Sequence, residues 1–250
     1  MVHRVKGEHD IAGGIQQREA GAFTRRLMVD AGIGPGMRVI DLGCGPGVVT
    51  RLIAELVGET GHVVGVDRHA GAIARAIALT EQAVLSNVSF VEQDLSDPLP
   101  GTAPHDAAVA RRVLMYLPDP ALLLRGVVDV LRPGGVAVFQ EADASMTPAC
   151  TAPHPLHDRV NDWIWTTVSG ANTAMGLELA PLVERCGLIV QHVRAEADIE
   201  GHTDSMATIV RAILPRILHH TDATEAEIDV DTLQRRLAEE RRQAPSMSAT

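Results

Sequence analysis

An apolar strand that runs directly into a glycine-rich turn constrains the fold of this chain more than any other part of its sequence. Residues 39–47 read VIDLGCGPG, and the apolar-periodic run 48–57 that follows predicts a helix. Glycine accepts positive φ and lets a ligand approach the backbone, while the N-terminus of a helix offers N–H groups without partners. A strand, turn and helix of this kind predict a ligand site at the turn.

A second predicted strand, residues 62–67, ends in the carboxylate of Asp67, about 20 residues after Gly47. In doubly wound sheets an acid at this offset hydrogen-bonds the ribose hydroxyls of a nucleoside. The sequence therefore predicts an α/β fold with a doubly wound, mostly parallel sheet. An adenosine-containing cofactor is expected across the carboxyl ends of adjacent strands.

The spacing of the glycines indicates which cofactor this is. Dinucleotide sites have the pattern G-x-G-x-x-G, whereas Gly43, Gly45 and Gly47 follow G-x-G-x-G. Asp41, two residues before the first glycine, suits a cationic group such as an amino-acid ammonium better than a pyrophosphate. This combination resembles motif I of the class I (Rossmann-like) S-adenosylmethionine (SAM)-dependent methyltransferases, and the resemblance extends over residues 32–194.

The resemblance implies SAM as cofactor, S-adenosylhomocysteine (SAH) as product, and a binding site formed by the carboxyl ends of four strands. At the third strand, Asp94 would face the adenine amino group and Leu95 would pack on the ring. Backbone near Ala110 and Arg111, after the fourth strand, would flank the sulfonium, and Tyr116 stands where many family members carry histidine. The remaining implied cofactor residues are Asp41, Gly43, Cys44, Gly45, Gly47, Asp67 and Arg68.

Several features indicate a small-molecule acceptor, such as a natural product. The formal net charge of −10 opposes a nucleic-acid substrate, because duplex-binding proteins present a basic face. After the fourth strand the chain lacks both the (D/N/S)-P-P-(Y/F) tetrad of amino-methylating nucleic-acid enzymes and the two-glutamate loop of protein arginine methyltransferases. No apolar run reaches the roughly 18 residues that a bilayer span requires. The three scattered cysteines predict reduced thiols in a cytoplasmic protein.

An irregular, proline-bearing segment, residues 144–176, interrupts the alternation of strands and helices and is interpreted as a lid over the acceptor. The alternative is a helix whose tryptophans pack on the sheet edge. His157 in this segment is the first candidate for a general base, and Glu141 at the end of the fifth strand is the second. His154 and His157 lack the second cluster that a metal site requires, so no metal is predicted.

The expected organisation is a single domain. It comprises an N-terminal arm and helix (1–31), a SAM-binding core (32–143), the lid insertion (144–176) and the remainder of the core with C-terminal helices (177–250). Residues 188–194 are predicted as a sixth strand, and residues 205–220 and 225–242 as helices. No apolar strand follows residue 242, although the family fold closes with a seventh strand.

Other functions remain open at this level. The main alternative is a protein that binds SAM without transferring methyl, as a binding module or for another reaction such as a cyclisation. A nicotinamide dehydrogenase needs a glycine spacing that is absent, and a tRNA or protein methyltransferase is opposed by the charge and the missing motifs. The sequence leaves the methylated atom and the oligomeric state open, and a homodimer is one alternative.

Overall fold

The computed structural model of the protein describes residues 21–101, 104–143, 154–167, 171–196 and 204–243. These residues form two compact units. Residues 21–143 with 172–193 make a sheet unit, and the helices within 154–167 and 204–243 make a helical unit. Residues 1–20 of the predicted N-terminal arm and helix, and residues 144–153 and 168–170 of the predicted lid, lie outside the described residues.

Five strands form one sheet in the order β3-β2-β1-β4-β5, and every neighbouring pair is parallel. They are β1 (Arg38–Leu42), β2 (His62–Asp67), β3 (Val88–Glu92), β4 (His105–Arg111) and β5 (Leu131–Gln140). The chain builds outward from β1 to β3 and then continues on the other side of β1, so the topological switch point lies between β1 and β4. The predicted α/β, doubly wound and mostly parallel sheet is confirmed.

Nine α-helices occur among the described residues. They are α1 (Gly21–Asp30), α2 (Val48–Val57), α3 (Ala70–Gln82), α4 (Pro120–Val130), α5 (Pro155–Thr167), α6 (Met175–Arg185), α7 (Asp204–His220), α8 (Glu225–Ile228) and α9 (Leu233–Gln243). Helix α4 shows how the sequence sets a boundary. The carboxylate of Asp119 accepts a hydrogen bond from the N–H of Leu122, and Pro120 occupies the first helical position, where no N–H is needed.

The core of the sheet unit lies around β1 and β4. Val39, Ile40 and Leu42 of β1 are fully buried, and Val39 shares a cluster with Ile53 and Val57 of α2. Strands covered on both faces read as continuous apolar runs, which is why β1 shows no alternation. This core holds the carboxyl ends of the central strands in fixed register.

Two predictions about the sheet are wrong. Residues 188–194, predicted as a sixth strand, carry no strand, and Ile189 and Val193 are 87% and 74% exposed. Periodicity reports which face of a segment is apolar, but it does not supply a neighbouring strand to pair with. Strand β5 also begins at Leu131 rather than Val136, because Leu131 already pairs with His105 before the chain bulges.

The helical unit has its own apolar core, formed by Val160 and Trp163 of α5 with Val210 and Ile217 of α7 and Leu233 of α9. None of the described helices is long and apolar enough to cross a membrane.

The single helix predicted over 225–242 is interrupted in the structure. It is broken between α8 and α9 by Asp229, whose φ of 40° is left-handed. The carbonyl of Asp229 accepts from the N–H groups of Thr232 and Leu233 at 3.0 and 2.9 Å, which begins the turn that leads into α9. Helical periodicity continues across this short break, which is why the sequence pattern does not reveal it.

Candidate functional site

The glycine turn after β1 is tied directly to the end of β2. The N–H groups of Gly43 and Cys44 donate to the carbonyl of Val66 at 2.8 and 3.0 Å. The N–H of Gly45 donates to Oδ2 of Asp67 at 2.9 Å, while Oδ1 of Asp67 accepts from the N–H of His69 at 2.9 Å. A carboxylate offers about four acceptor positions, so Asp67 retains capacity for two further donors such as vicinal hydroxyls.

Three left-handed glycines shape this turn, with φ of 68° at Gly43, 51° at Gly45 and 74° at Gly47. A Cβ at Gly47 would lie 3.0 Å from Cβ of Ala76 on α3, so this glycine permits close helix packing. A Cβ at Gly45 would meet no atom within 4 Å. The turn therefore combines a tightly packed base with open space beside Gly45, which is what a ligand lying against the backbone requires.

Asp41 lies beneath the turn and is 1% exposed. Its Oδ2 accepts a hydrogen bond from the hydroxyl of Thr50, in the first turn of α2, at 2.5 Å. Burial, together with the nearby charge of Asp67, raises the pKa of Asp41 to about 7, against the opposing effect of the Thr50 hydroxyl. Sequence reasoning missed Thr50, because a threonine in an apolar helix carries no signal of its partner.

Cys44, which the resemblance implied as a cofactor residue together with the three glycines of this turn, is buried. Burial and the nearby Asp41 and Asp67 carboxylates raise the pKa of its thiol, so Cys44 is a protonated packing residue at neutral pH.

The predicted adenine-binding residues lie after β3. Asp94 is partly exposed, and its Oδ1 accepts from both the N–H and the hydroxyl of Ser96 at 2.9 and 2.6 Å. These bonds hold the pKa of Asp94 below its usual range. Leu95 is buried, and Arg68 lies 3.8 Å from Asp94 across an exposed ion pair. The two bonds from Ser96 therefore fix the orientation of the Asp94 carboxylate.

The end of β4 and the turn after it lie beside the end of β5. Ala110 is fully buried and pairs with Leu42, and Arg111 is the last residue of β4. Arg112, with a left-handed φ of 54°, donates its N–H to the carbonyl of Gln140 at 2.7 Å. Tyr116 ends the short 3-10 helix Leu114–Tyr116 and is 53% exposed.

Glu141, predicted as a candidate base, binds the backbone of that turn. Its Oε1 accepts from the N–H groups of Val113 and Leu114 at 2.9 and 2.8 Å. Its Oε2 is buried and has no hydrogen-bond partner among the described residues. Burial raises the pKa of Glu141, and the backbone N–H groups oppose that rise.

His157, the other candidate base, lies on α5 in the helical unit, whereas Glu141 lies in the sheet unit. The N–H groups of Leu156 and His157 donate to the two carboxylate oxygens of Glu240 at 2.7 and 3.0 Å, which caps the start of α5. Burial lowers the pKa of the His157 imidazole, and Arg241 acts in the same direction. His157 is therefore neutral at neutral pH. No group of three metal-ligating side chains that could hold an ion occurs in the part of the chain that the structure describes.

Residues 33–200 match a family model described as a methyltransferase domain. The match covers more than half of the chain, and the chain therefore belongs to this family, the class I SAM-dependent methyltransferases. The resemblance predicted from the glycine turn is confirmed, and S-adenosylmethionine is the cofactor of the family.

Individual relatives agree on the class. The chain is 37% identical over 116 residues to a trans-aconitate 2-methyltransferase of Azoarcus sp., covering 46% of this chain and 43% of the relative. It is 29% identical over 138 residues to the ubiquinone/menaquinone biosynthesis C-methyltransferase UbiE of Vibrio cholerae, covering 54% and 53%. The chain thus spans about half the length of these curated relatives.

A solved SAM-dependent methyltransferase from Aquifex aeolicus has the same fold. Its TM-score is 0.58 at 18% identity, and the match covers 75% of this chain and 92% of that one.

Proposed function

We propose that this protein binds SAM along the carboxyl ends of β1, β2, β3 and β4 and transfers its methyl group to a small-molecule acceptor. The observation that carries the proposal is the hydrogen bond from the N–H of Gly45 to Asp67. It sets a carboxylate with remaining acceptor capacity directly beside the glycine turn, where a Cβ on Gly45 would meet no atom within 4 Å. A nucleoside needs both surfaces, one for its backbone-facing edge and one for its ribose hydroxyls.

The chemistry of the residues supports SAM as the ligand. Asp67 would accept from the ribose hydroxyls, Leu95 offers an apolar surface for the adenine, and Asp94 offers an acceptor for its amino group. Asp41, buried beneath the turn, would support the glycine backbone, with Gly43, Cys44, Gly45 and Gly47 forming the turn itself. Arg68, Ala110, Arg111 and Tyr116 complete the proposed binding residues. Bound SAM supplies a methyl group on a sulfonium, and the protein aligns the acceptor and excludes water.

The acceptor is proposed to be a small molecule on two grounds. One relative named above is a trans-aconitate methyltransferase, and the other is a methyltransferase of ubiquinone and menaquinone biosynthesis. Aconitate and these quinones are small molecules of different chemistry. The net charge of −10 also disfavours a nucleic-acid substrate. For the general base, His157 remains the first candidate, since burial keeps its imidazole neutral and able to accept a proton.

The alternative is SAM binding without methyl transfer. The two functions differ in product: methyl transfer releases SAH and adds the mass of one methylene to an acceptor, whereas binding alone does neither. The predictions of a cytoplasmic location, of no nucleic-acid or membrane partner and of a homodimer also stay proposals.

The experiment has two stages. Titration calorimetry with SAM and SAH first tests cofactor binding by the purified full chain. Mass spectrometry then follows SAH release from SAM with a panel of acceptors that includes trans-aconitate, other small carboxylic acids and soluble quinol analogues. Micromolar SAH binding with acceptor-dependent SAH release is expected. Absence of any calorimetric response to both nucleosides overturns the proposal, and binding without release from any acceptor favours the alternative.

A further inference from the structure

The turn after β4 begins with backbone donors that no side chain of its own satisfies. The 3-10 helix Leu114–Tyr116 has Val113 as its N-cap residue, whose side chain cannot accept a hydrogen bond. The first N–H groups of any helix need acceptors from elsewhere. Glu141, which directly follows β5, supplies one, because a single oxygen of its carboxylate accepts from both Val113 and Leu114.

The same turn contains backbone strain. Arg112 has a left-handed φ of 54°, a conformation that costs free energy for a residue with a side chain. Its N–H is held by the carbonyl of Gln140 at 2.7 Å. Two consecutive residues at the end of β5, Gln140 and Glu141, therefore fix three consecutive N–H groups, those of residues 112–114.

Val113 connects this turn to the glycine turn after β1. A Cβ built on Gly43 would lie 2.5 Å from Cγ2 of Val113, so the valine packs directly against the glycine backbone. Within the 3-10 helix, the carbonyl of Met115 accepts from the N–H of Asn172 at 2.7 Å, which connects the helix to the segment before α6. Displacement of Val113 would thus reach the cofactor turn, and displacement of Met115 would reach the segment that leads into α6.

We propose that Glu141 is a positioning residue that fixes the backbone of residues 112–116 against the glycine turn, and that it acts as a hydrogen-bond acceptor and not as a proton acceptor. The inference rests on the proposed function, because it concerns the turn beside which methyl transfer would occur. It assigns Glu141 a role different from that of the general base. Both N–H bonds go to Oε1, and the amide oxygen of glutamine accepts hydrogen bonds in the same way.

The choice of variants follows from this difference. Glu141→Gln keeps the acceptor oxygen and removes the ability to take a proton. Glu141→Leu removes both and leaves two backbone N–H groups without an acceptor. Asp119→Ala is the matched control, because it removes the cap of α4 just after the same turn but leaves the contacts of Glu141 in place.

The first readout needs no ligand. Hydrogen exchange of the peptide that covers residues 112–116 is expected to be at least about tenfold faster in Glu141→Leu, since two amides lose their acceptor. Wild-type exchange is expected in Glu141→Gln and in Asp119→Ala. Unchanged exchange in Glu141→Leu overturns the proposal, as does exchange in Glu141→Gln that equals that of the leucine variant.

The second readout is affinity for SAH by calorimetry, with about tenfold weaker binding expected for Glu141→Leu and a change under threefold for Glu141→Gln. With an acceptor from the screen above, Glu141→Gln is expected to keep the wild-type kcat and pH profile. Loss of kcat with intact exchange and SAH affinity would instead make Glu141 the base. If the leucine variant does not fold, the glutamine variant decides alone. If wild-type protein binds no SAH, the proposed function fails while the exchange comparison still tests Glu141.

Discussion

The hydroxyl of Thr50 donates to the buried carboxylate of Asp41 at 2.5 Å, and this bond joins the end of β1 to the first turn of α2 beneath the glycine turn. The bond favours the ionised carboxylate, but burial opposes ionisation more strongly, so the pKa of Asp41 rises to about 7. The glycine turn therefore lies above a group that changes charge close to neutral pH.

Asp41 makes stability depend on pH in a direction that is unusual for an acid. The folded pKa lies above the ordinary value of 3.8, so the folded state keeps a proton that the unfolded state releases. Stability therefore falls as pH rises between about 4 and 7, by at most about 1.4 kcal/mol per pH unit. Asp41→Asn is expected to remove this fall, as measured by urea unfolding of both proteins at several pH values. An identical slope in the two proteins would contradict the assignment.

Asp67→Ala tests the bond that carries the proposed function. The variant frees the N–H of Gly45 and removes the acceptor for ribose hydroxyls, so SAH affinity is expected to fall at least tenfold, about 1.4 kcal/mol or more. Calorimetry measures this loss. Glu59→Ala, an exposed acid in the turn that leads into the other end of β2, is the control and should bind normally. Equal affinity of wild type and Asp67→Ala would falsify the proposed site.

Gly43 and Val113 form a testable pair. Gly43→Ala is expected to destabilise the protein by about 2–4 kcal/mol, because φ is positive and the new Cβ would clash with Val113. Adding Val113→Ala relieves the clash, so the double variant should be at least about 1 kcal/mol more stable than additivity predicts. Denaturant unfolding of the four proteins gives this coupling.

Gly45→Ala is the control for that cycle. Gly45 also has a positive φ, but a Cβ there would meet no atom within 4 Å. Gly45→Ala should therefore lower the free energy of unfolding only by the cost of the left-handed backbone, about 1–2 kcal/mol. Strict additivity at Gly43 and Val113 would show that the contact is absent.

His157→Gln separates a base from a structural histidine. The imidazole pKa is lowered, so a base at this position is active at neutral pH and loses activity only as pH falls below about 6.5. The variant is expected to lower kcat by about 100-fold or more and to abolish this acidic limb. His154→Gln, three residues earlier in the chain, should retain the wild-type kcat and the acidic limb. A wild-type pH profile in His157→Gln excludes the histidine as base.

Asp106 provides a test of stability that should leave binding intact. It accepts from the N–H of Arg38 at 2.8 Å and from Nε of Arg132 at 2.6 Å, which keeps its pKa below the usual range. This stabilisation is present above about pH 4 and is lost as pH falls through the lowered pKa. Asp106→Ala should cost about 1–3 kcal/mol at neutral pH by denaturant unfolding. Calorimetry should show unchanged SAH affinity. A tenfold loss would contradict the expectation that contacts at the beginnings of the strands do not affect binding at their carboxyl ends.

The sequence predicts best the parts of the fold that are determined locally. The bounds of α2 and β2 match the prediction residue for residue, because glycines and a change from a continuous apolar run to helical periodicity mark them directly. The positions of the glycine turn and of Asp67 follow from the same local signals. The confirmed family and fold class depend on this stretch.

Contacts between distant segments could not be predicted in this way. The bond from Leu114 to Glu141 spans 27 positions and exists only because β5 lies beside β4. Periodicity also indicated a strand at 188–194, although pairing requires a partner that the pattern does not specify. Likewise, the break at Asp229 depends on the left-handed backbone of that one residue. Aspartate tolerates this conformation but does not require it, so the sequence does not predict it.

Asp106 fastens the beginnings of β1, β4 and β5 to one another, at the rim that faces away from the glycine turn. Because these contacts hold the three strands together at that rim, the order of the strands does not depend on the loops at the opposite rim. Those loops can therefore diverge during evolution and exchange one acceptor specificity for another while the scaffold beneath them endures.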